Sequence, residues 1–482
     1  MSARGALLGT VGGFAEEVMK TGLGPSHRHA VAGLVLDAVG NIVLGTRQPV
    51  ASIAHRVARL WGDAGSATVV GRPIGLPPTG AAFVNGTLAH CTDFDDTHLP
   101  SLLHPGAAVI PAVLAVAEVT GADGPESLDA MLLGIELCIR LGMAGFDEER
   151  RNSIYFDRGQ HATSLCGAIA SAVAVSALLS GDAATITSAG AIAASMSSGL
   201  IEANRTGGSV KQIHTGWAAH CGVAAAQLAA AGLTGPHTVL EGRFGFFTAF
   251  CGERSVPQVV TDDLGELWHA DQVQIKRYPC NYFTHAGVDC ALELRARGVR
   301  PADVAGIELG VPEPALRTIA EPRAAKIIPV GGYAAAFSGP YTFAAALTGG
   351  GGLGVHLADF TDEAARRAEV VELAARIGCS ADAECTEVFP RRIGTRARVT
   401  LRDGRVEEVL RFNDRPGLTY GVTGAELDTK FALNCEVFGA ERSALVSAEI
   451  RALVSATSAR SVMSLLRTEG KERKRGGSDQ AE

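Results

Sequence analysis

The chain has 482 residues, of which 47% are hydrophobic and 20% charged, and its 43 basic and 51 acidic side chains give a net charge of −8. A chain of this length buries about three quarters of its unfolded surface, which excludes a disordered, collagen-like or disulfide-stapled protein. The acidic balance does not favour nucleic acid or an anionic membrane as a partner.

The N-terminal segment, residues 1–20, has no basic region followed by a long apolar core, so it does not resemble a signal peptide. The ten cysteines form no CxxC pair and lie mostly in apolar surroundings, which is typical of buried thiols in a reduced compartment. We therefore expect a cytoplasmic protein.

Helical periodicity dominates the first 250 residues. After the breaker Gly124-Pro125, apolar side chains between Leu128 and Ile139 recur at helical spacing, which predicts a helix from Ser127 onward. Further helices are predicted over residues 111–119, 161–179, 183–201 and 217–233.

Two uncharged stretches, 162–179 and 183–201, are long enough to cross a bilayer. They consist mainly of Ala, Ser, Thr and Gly, which contribute little transfer free energy. We therefore expect buried helices whose small residues allow the backbones to pack closely.

The pattern changes near residue 270. Residues 307–311 alternate between apolar and polar, and residues 396–401 alternate strictly, reach Asp403-Gly404 and continue as 406–412. Asp-Gly between alternating runs is a strong hairpin signal. Residues 423–466 return to helical periodicity.

The predicted fold class is mainly α. We expect a large all-α helical domain, residues 1–271 plus 412–467, into which a smaller α+β domain, residues 272–411, is inserted. The remaining residues, 468–482, are polar and charged and are predicted to be disordered.

The densest polar cluster in the N-terminal half, HCTDFDDTHLPSLLH, runs from His90 to His104 and contains Asp93, Asp95, Asp96, Thr97 and His98. Closely spaced carboxylates cannot all stay ionised in a dry site, so one raised pKa would provide a general acid or base. An exposed acidic loop that caps a helix explains the same residues.

Two other interpretations of this cluster are weaker. The DFDD segment matches the DxDD pattern of terpene cyclases, but those enzymes need aromatic walls and this chain is 5% aromatic. Asp93, His98 and His104 have the residue types of a metal site, but no HExxH motif or second ligand cluster accompanies them.

Two ionisable residues directly precede apolar helices. His161 lies where the helix dipole lowers the pKa of an imidazole, although a capping or core histidine fits equally well. Lys211 is unfavourable at a helix start unless an anion shares the site, although a solvated lysine is the alternative.

A fourth motif, Lys276 to His285, falls at the junction of the two predicted units, where small-molecule clefts form. Cys280, His285 and Cys290 have the residue types of zinc ligands, but three residues on an apolar helix do not make a site. We interpret both cysteines as packing residues.

These motifs occur in an order that resembles the MmgE/PrpD family, which includes 2-methylcitrate dehydratase, cis-aconitate decarboxylase and iminodisuccinate epimerase. The matching segments are FVNGTLAHCTDFDDTHLPSLLHPGAAVIPA, GQHATSLCGA, KQIHTGWAAHCG, EGRFGFF, KRYPCNYFTHAGVDCALEL, AAFSGPYTFAAAL and VFPRRIGTRARVTLRDGR. The resemblance implies an all-α domain with a smaller α+β lid, a homodimer, and a site between the domains that uses no cofactor or metal.

The resemblance also implies which residues act. The expected catalytic residues are Asp93, His104, His161, Lys211 and Lys276. The expected substrate-binding residues are Thr97, His98, His285 and Tyr341.

The implied function is a cofactor-independent lyase that acts on a small di- or tricarboxylate. Dehydration of the 2-methylcitrate type is expected ahead of decarboxylation of the cis-aconitate type. The two lysines would bind carboxylates and the histidines would transfer protons. An epimerase or isomerase of a similar acid and a non-catalytic helical binding protein are the alternatives.

Overall fold

A computed structural model describes residues 6–203, 208–415 and 419–468 of the chain. Of the tail predicted to be disordered, all but Thr468 lies outside the described residues.

The N-terminal half is built from helices that pack directly on one another. Their bounds are Leu7–Thr21, Pro25–Gly45, Pro49–Trp61, Pro78–His90, Gly106–Thr120, Gly124–Ala144, Ile154–Asp157, Ala162–Leu178, Ala183–Met196, His214–Ala230 and Phe246–Phe250. Glycines allow the close approach. An added Cβ at Gly222 would lie 2.3 Å from the Ser171 side chain, and one at Gly216 would lie 2.3 Å from the Phe83 carbonyl oxygen.

The later part of the chain combines short helices with a four-stranded mixed sheet. The helices are His285–Ala296, Glu313–Ile319, Arg323–Ile327, Gly332–Ala335, Gly339–Thr348, Ala368–Ala374 and Ala383–Val388, followed by Gly424–Asn434, Ala440–Ala452 and Arg460–Leu465. The strands lie in the spatial order Ile377–Ala381, Val304–Val311, Gly394–Leu401, Val406–Phe412. The first two pair in parallel and the other pairs are antiparallel. The predicted mainly α fold class is confirmed.

Buried apolar side chains form two large clusters. One draws its members from residues 8–275 and 420–466, and the other from residues 278–409. Cys280 and Cys290 belong to the second cluster and are fully buried, which confirms their interpretation as packing residues.

The predicted buried helices are confirmed in part. Ala162–Leu178 is buried along its whole length, but Ala183–Met196 is continuously buried only over residues 189–194, and Ala184 and Ser195 near its ends are exposed. Among the described residues, only Pro25–Gly45 is long and apolar enough to cross a bilayer by length and composition. Most of that helix is packed inside the fold, and the core helices of globular proteins pass the same test.

Several element boundaries differ from the predictions. The helix predicted to begin at Pro111 begins at Gly106, because the Asp96 carboxylate accepts the Gly106 N–H, at 3.0 Å from its nearer oxygen. The helix predicted from Ser127 begins at Gly124, because the Asp123 side chain caps it.

The strand Ile377–Ala381 was not predicted. It consists of Ile-Gly-Cys-Ser-Ala, in which Ile377 is the single β-branched residue and Gly and Ala are residues depleted in strands. Its pairing with Val304–Val311 forms it, since the two strands lie in parallel register over five residues.

Candidate active site

The acidic segment between the helices Pro78–His90 and Gly106–Thr120 is buried. Asp93, Asp95 and Asp96 are each less than 5% exposed, which excludes the exposed acidic loop. Asp96 does cap the following helix. Burial, with the nearby carboxylates of Asp95 and Asp37, raises the pKa of Asp96 well above its usual value.

Asp93 lies between two ammonium groups. Its Oδ1 is 3.5 Å from Lys211 Nζ, its Oδ2 is 3.4 Å from Lys276 Nζ, and Lys276 also donates to the Asp93 carbonyl oxygen at 2.8 Å. Burial alone would raise the Asp93 pKa, but Lys276 and Lys211 outweigh it and lower that pKa to about 2. Asp93 is therefore ionised at neutral pH, and one carboxylate faces two cations.

The contacts of the His104 ring show which of its two nitrogens carries the proton. Its Nδ1 lies 2.6 Å from the Asp96 carbonyl oxygen, which can only accept, so the neutral ring carries its proton on Nδ1. Thr97 Oγ1 lies 3.1 Å from the same nitrogen. Nε2 is therefore the nitrogen left for a ligand.

His90 and Asp95 form a buried pair beside His104. His90 Nδ1 donates to Asp95 Oδ2 over 2.7 Å, and the same oxygen is 3.9 Å from His104 Nδ1. His90 Nε2 is buried without a hydrogen-bond partner among the described residues. A carboxylate that orients an imidazole in this way is a common arrangement for an acid–base catalyst.

Four imidazole rings run side by side through the site. The ring centroids are separated by 5.4 Å between His104 and His90, 5.5 Å between His90 and His161, and 5.0 Å between His161 and His214. The Nδ1 atoms of His161 and His214 are 3.0 Å apart, so one of them donates to the other.

Burial keeps the imidazoles of His104, His161 and His214 neutral. It lowers the pKa of His104 and of His214 to about 4, and it lowers the pKa of His161 well below its usual value, with smaller contributions from neighbouring lysine and histidine charges. Neutral rings add no positive charge to the site, in which the ammonium groups of Lys211 and Lys276 are balanced by the carboxylates of Asp93 and Asp95.

Lys211 connects the site to the smaller unit. It lies on the helical turn Val210–Ile213, and its Nζ is 5.5 Å from the ring centroid of Phe337, whose ring packs 5.2 Å from that of Tyr333. Burial opposes the Lys211 charge, but Tyr333, Asp93 and Asp95 outweigh it and raise the Lys211 pKa.

Lys276 and Thr97 lie together at the junction of the two units. The Thr97 N–H donates to the Gln274 carbonyl at 2.8 Å, and the Gln274 N–H donates back to the Thr97 carbonyl at 2.7 Å. His285 Nε2 lies 3.3 Å from the Cys280 carbonyl oxygen, and burial, with the Lys276 charge, lowers the pKa of its imidazole well below the usual range. The side chains of His104 and Lys211 retain 16% and 10% exposure, so the site opens on their side.

Two predicted substrate-binding residues lie elsewhere. His98 Nδ1 pairs with Ser101 Oγ at 2.7 Å, inside its own loop. The Tyr341 hydroxyl lies in the second core, within 3.0 Å of the Asp359 carbonyl and 2.7 Å of the Ala364 carbonyl. The part of the AAFSGPYTFAAAL motif that contains Tyr341 therefore packs the smaller unit, whereas Phe337 of the same motif lies beside Lys211.

Three side chains of the site have atoms of the kind that bind metal ions. Ligand atoms of Asp93, Asp95 and His104 lie within 4.8 Å of one another. The ammonium groups of Lys211 and Lys276 already neutralise Asp93 and would repel a divalent cation. The residues fit an anion better than a metal ion.

Sequence reasoning gave no role to three residues of this site. His90, His214 and Tyr333 stand in or near the motifs, but their sequence positions do not show that their rings meet. The five-residue spacing from His90 to Asp95 was the one available signal, because a short loop can bring such a pair together.

The chain matches the models of two domains of one known family over most of its length. Residues 11–258 match the MmgE/PrpD N-terminal domain and residues 278–454 match the MmgE/PrpD C-terminal domain. It is 32% identical over 422 residues to cis-aconitate decarboxylase from Homo sapiens, covering 83% of this chain and 82% of the human protein. It is 27% identical over 275 residues to cis-aconitate decarboxylase from Aspergillus terreus, covering 55% of each chain.

Proposed function

The chain belongs to the MmgE/PrpD family, and we propose that it is a cofactor-independent carboxy-lyase that removes CO2 from a small unsaturated tricarboxylate. An enzyme of the lyase type is the coarser conclusion that its relatives support. Their printed activity, cis-aconitate decarboxylation, is the reason that we propose CO2 loss rather than dehydration.

One observation carries the proposal. Lys211 and Lys276 flank a single buried carboxylate, beside four imidazoles, between the two units of the chain. Two ammonium groups suit a ligand with several carboxylates. Adjacent imidazoles supply the proton transfers that carbanion chemistry requires.

The reaction needs no oxidant or reductant. The bond to the departing carboxylate breaks, and its electron pair forms a new carbon–carbon double bond. The electron pair of the original double bond moves to the carbon beside a second carboxylate, where it takes one proton. The products are CO2 and a dicarboxylate, and one proton is consumed.

The lysines act on the developing charge. Lys211 and Lys276 would hold the carboxylate next to the carbanion, where negative charge accumulates in a site largely closed to water. Asp93 would keep both ammonium groups in place.

His104 is the group best placed to deliver the proton. An incoming polycarboxylate raises the pKa of neighbouring imidazoles, because an anion favours their charged form. After His104 gives up its Nε2 proton, it keeps Nδ1–H, and that nitrogen already lies at hydrogen-bond distance from the Asp96 carbonyl. The His90–Asp95 pair and His161 would return the proton to His104.

Proton NMR in D2O, with a panel of polycarboxylates that includes cis-aconitate, tests the proposal. Decarboxylation predicts CO2 release and one deuterium on carbon in the product. A new alkene from a hydroxy acid would instead indicate dehydration, and exchange without net loss would indicate epimerisation. Lys20→Met is the matched lysine control, because Lys20 lies at the surface and pairs only with Glu16 among the described residues. No turnover of any acid would overturn the proposal.

We also propose a homodimer. Ile53, Leu60 and Trp61 lie on one face of the helix Pro49–Trp61 and are 48%, 81% and 47% exposed. The family resemblance favours a second copy of the chain as the partner, and we propose that it covers this exposed apolar face. Analytical ultracentrifugation should give a dimer for the wild type and a monomer for Leu60→Glu, and a monomeric wild type would contradict the proposal.

A further inference from the structure

Two successive backbone carbonyls in the acidic loop each accept a hydrogen bond from a lysine. The Asp93 carbonyl accepts from Lys276 Nζ at 2.8 Å, and the Phe94 carbonyl accepts from Lys430 Nζ at 2.9 Å. The two lysines come from different parts of the chain, the junction segment and the helix Gly424–Asn434.

The Lys430 ammonium joins three segments at one point. Besides the Phe94 carbonyl, it donates to the Lys276 carbonyl at 2.8 Å and pairs with Asp37 Oδ1 at 2.5 Å. It also lies 3.7 Å from the Phe94 ring centroid. Lys430 is 3% exposed and Asp37 is on the helix Pro25–Gly45, so a buried ion pair holds the acidic loop to the junction.

The Phe94 carbonyl accepts a hydrogen bond from a second side chain, that of Asn41. Asn41 Nδ2 lies 3.1 Å from the Phe94 carbonyl oxygen and 3.1 Å from Asp37 Oδ2. The Asn41 side-chain oxygen in turn accepts from Asn434, one turn along the helix from Lys430. The Phe94 carbonyl is thus fixed from both helices.

The loop needs such support because Asp93 has a left-handed backbone, with φ of 53°. A non-glycine residue seldom adopts that region, and it persists there where its surroundings hold it. Asp93 is also the carboxylate between Lys211 and Lys276, so the strained residue sits at the centre of the site.

We propose that Lys430, with Asp37 and Asn41, is a positioning unit that holds Asp93 and Lys276 in their reactive geometry. The inference rests on the lyase function proposed above. Lys430 acts through the carbonyls of Phe94 and Lys276, and its burial separates it from the substrate.

The test has to separate a positioning role from a contribution to stability alone, so both members of the ion pair are replaced together. Replacing a buried pair by neutral residues of similar size often changes stability little, whereas removing one partner leaves an unpaired charge. The test therefore uses the double variant Lys430→Met/Asp37→Asn. Its control, Arg28→Met/Asp129→Asn, removes an ion pair of 2.6 Å in the same helical unit.

The variants should differ in turnover and in its pH dependence. Misplacement of Asp93 and Lys276 should lower kcat about tenfold or more in the first double variant, with a smaller change in KM. Asp93 is faced by Lys276, Lys211, His104 and Asp95. A looser contact with Lys276 raises the Asp93 pKa, so the acidic limb of the kcat–pH profile should move to higher pH. The control should keep the wild-type profile at a comparable melting temperature.

The test is completed by a milder variant, Asn41→Ala, and by a measurement that needs no substrate, hydrogen exchange. Asn41→Ala removes one donor to the Phe94 carbonyl without leaving a charge unpaired, and it should change kcat in the same direction. Hydrogen exchange of the peptide that spans residues 93–97 should accelerate in both variants and not in the control. Wild-type kcat with unchanged exchange in that peptide would overturn the positioning role. An inactive wild type whose variants still show faster exchange would count against the proposed reaction alone.

Discussion

Replacing Lys276 by Met is expected to impair catalysis more than any change at the surface. Lys276 Nζ lies 3.4 Å from Asp93 Oδ2, and at that distance two unit charges interact by about 5 kcal/mol at an effective dielectric constant of about 20. Desolvation offsets part of this, and truncating one member of a buried charge pair costs about 2–5 kcal/mol. If a substrate carboxylate depends on the same ammonium group, kcat/KM should fall by about 30-fold to about 5,000-fold.

Steady-state kinetics with the acid that the NMR panel identifies would measure this loss. Lys211→Met should also be impaired, but it leaves the Asp93 carbonyl contact intact, since Lys276 donates to that oxygen. Lys20→Met should behave as wild type. The acidic limb should move to higher pH in Lys276→Met, because loss of the cation raises the Asp93 pKa.

A kcat/KM within about fivefold of wild type for both buried-lysine variants would refute the reasoning, because it corresponds to only about 1 kcal/mol. The melting temperatures of all three variants should be recorded beside the kinetics. A folded Lys276→Met protein with full activity would remove the ammonium group from the mechanism.

Three further results are expected. His104→Gln should lower kcat by about 100-fold or more while changing binding of a non-reactive tricarboxylate little, and unchanged turnover would exclude it as proton donor. Tyr341→Phe should lower stability by about 1–3 kcal/mol in urea unfolding, because its hydroxyl contacts two buried carbonyls, and should leave kcat unchanged. Activity should survive prolonged chelation, because Lys211 and Lys276 oppose a cation beside Asp93, and its loss with recovery on adding metal would reverse that conclusion.

The sequence predicted elements whose signals are local. The hairpin at Asp403-Gly404 follows from alternation and a turn dipeptide, and its strands lie within two residues of the predicted positions. The start of the helix Gly106–Thr120 was missed, because the cap comes from Asp96, ten residues earlier, and no helix-start pattern records such a contact.

The residues of the candidate site likewise include some that the sequence indicated and some that it did not. Residue type and family resemblance selected Asp93, His104, His161, Lys211 and Lys276, and the structure brings these together. The contact of Lys430 with Phe94 joins residues 336 positions apart, and nothing near either residue indicates the other. Tyr341 was predicted to bind substrate because it lies in a family motif, but its hydroxyl contacts the Asp359 carbonyl inside the second core.

The central claim is that two buried ammonium groups and neutral imidazoles form one site for a polycarboxylate. Calorimetric titration with propane-1,2,3-tricarboxylate at pH 7, in buffers of different ionisation enthalpy, tests it most directly. His104 and His214 have pKa values of about 4 in the free protein, so they are neutral at pH 7, and a bound anion that raises either value to near 7 draws protons from the buffer. The account predicts net proton uptake on binding to the wild type and much weaker binding to Lys276→Met. Binding without proton uptake, or equally tight binding to both proteins, would contradict it.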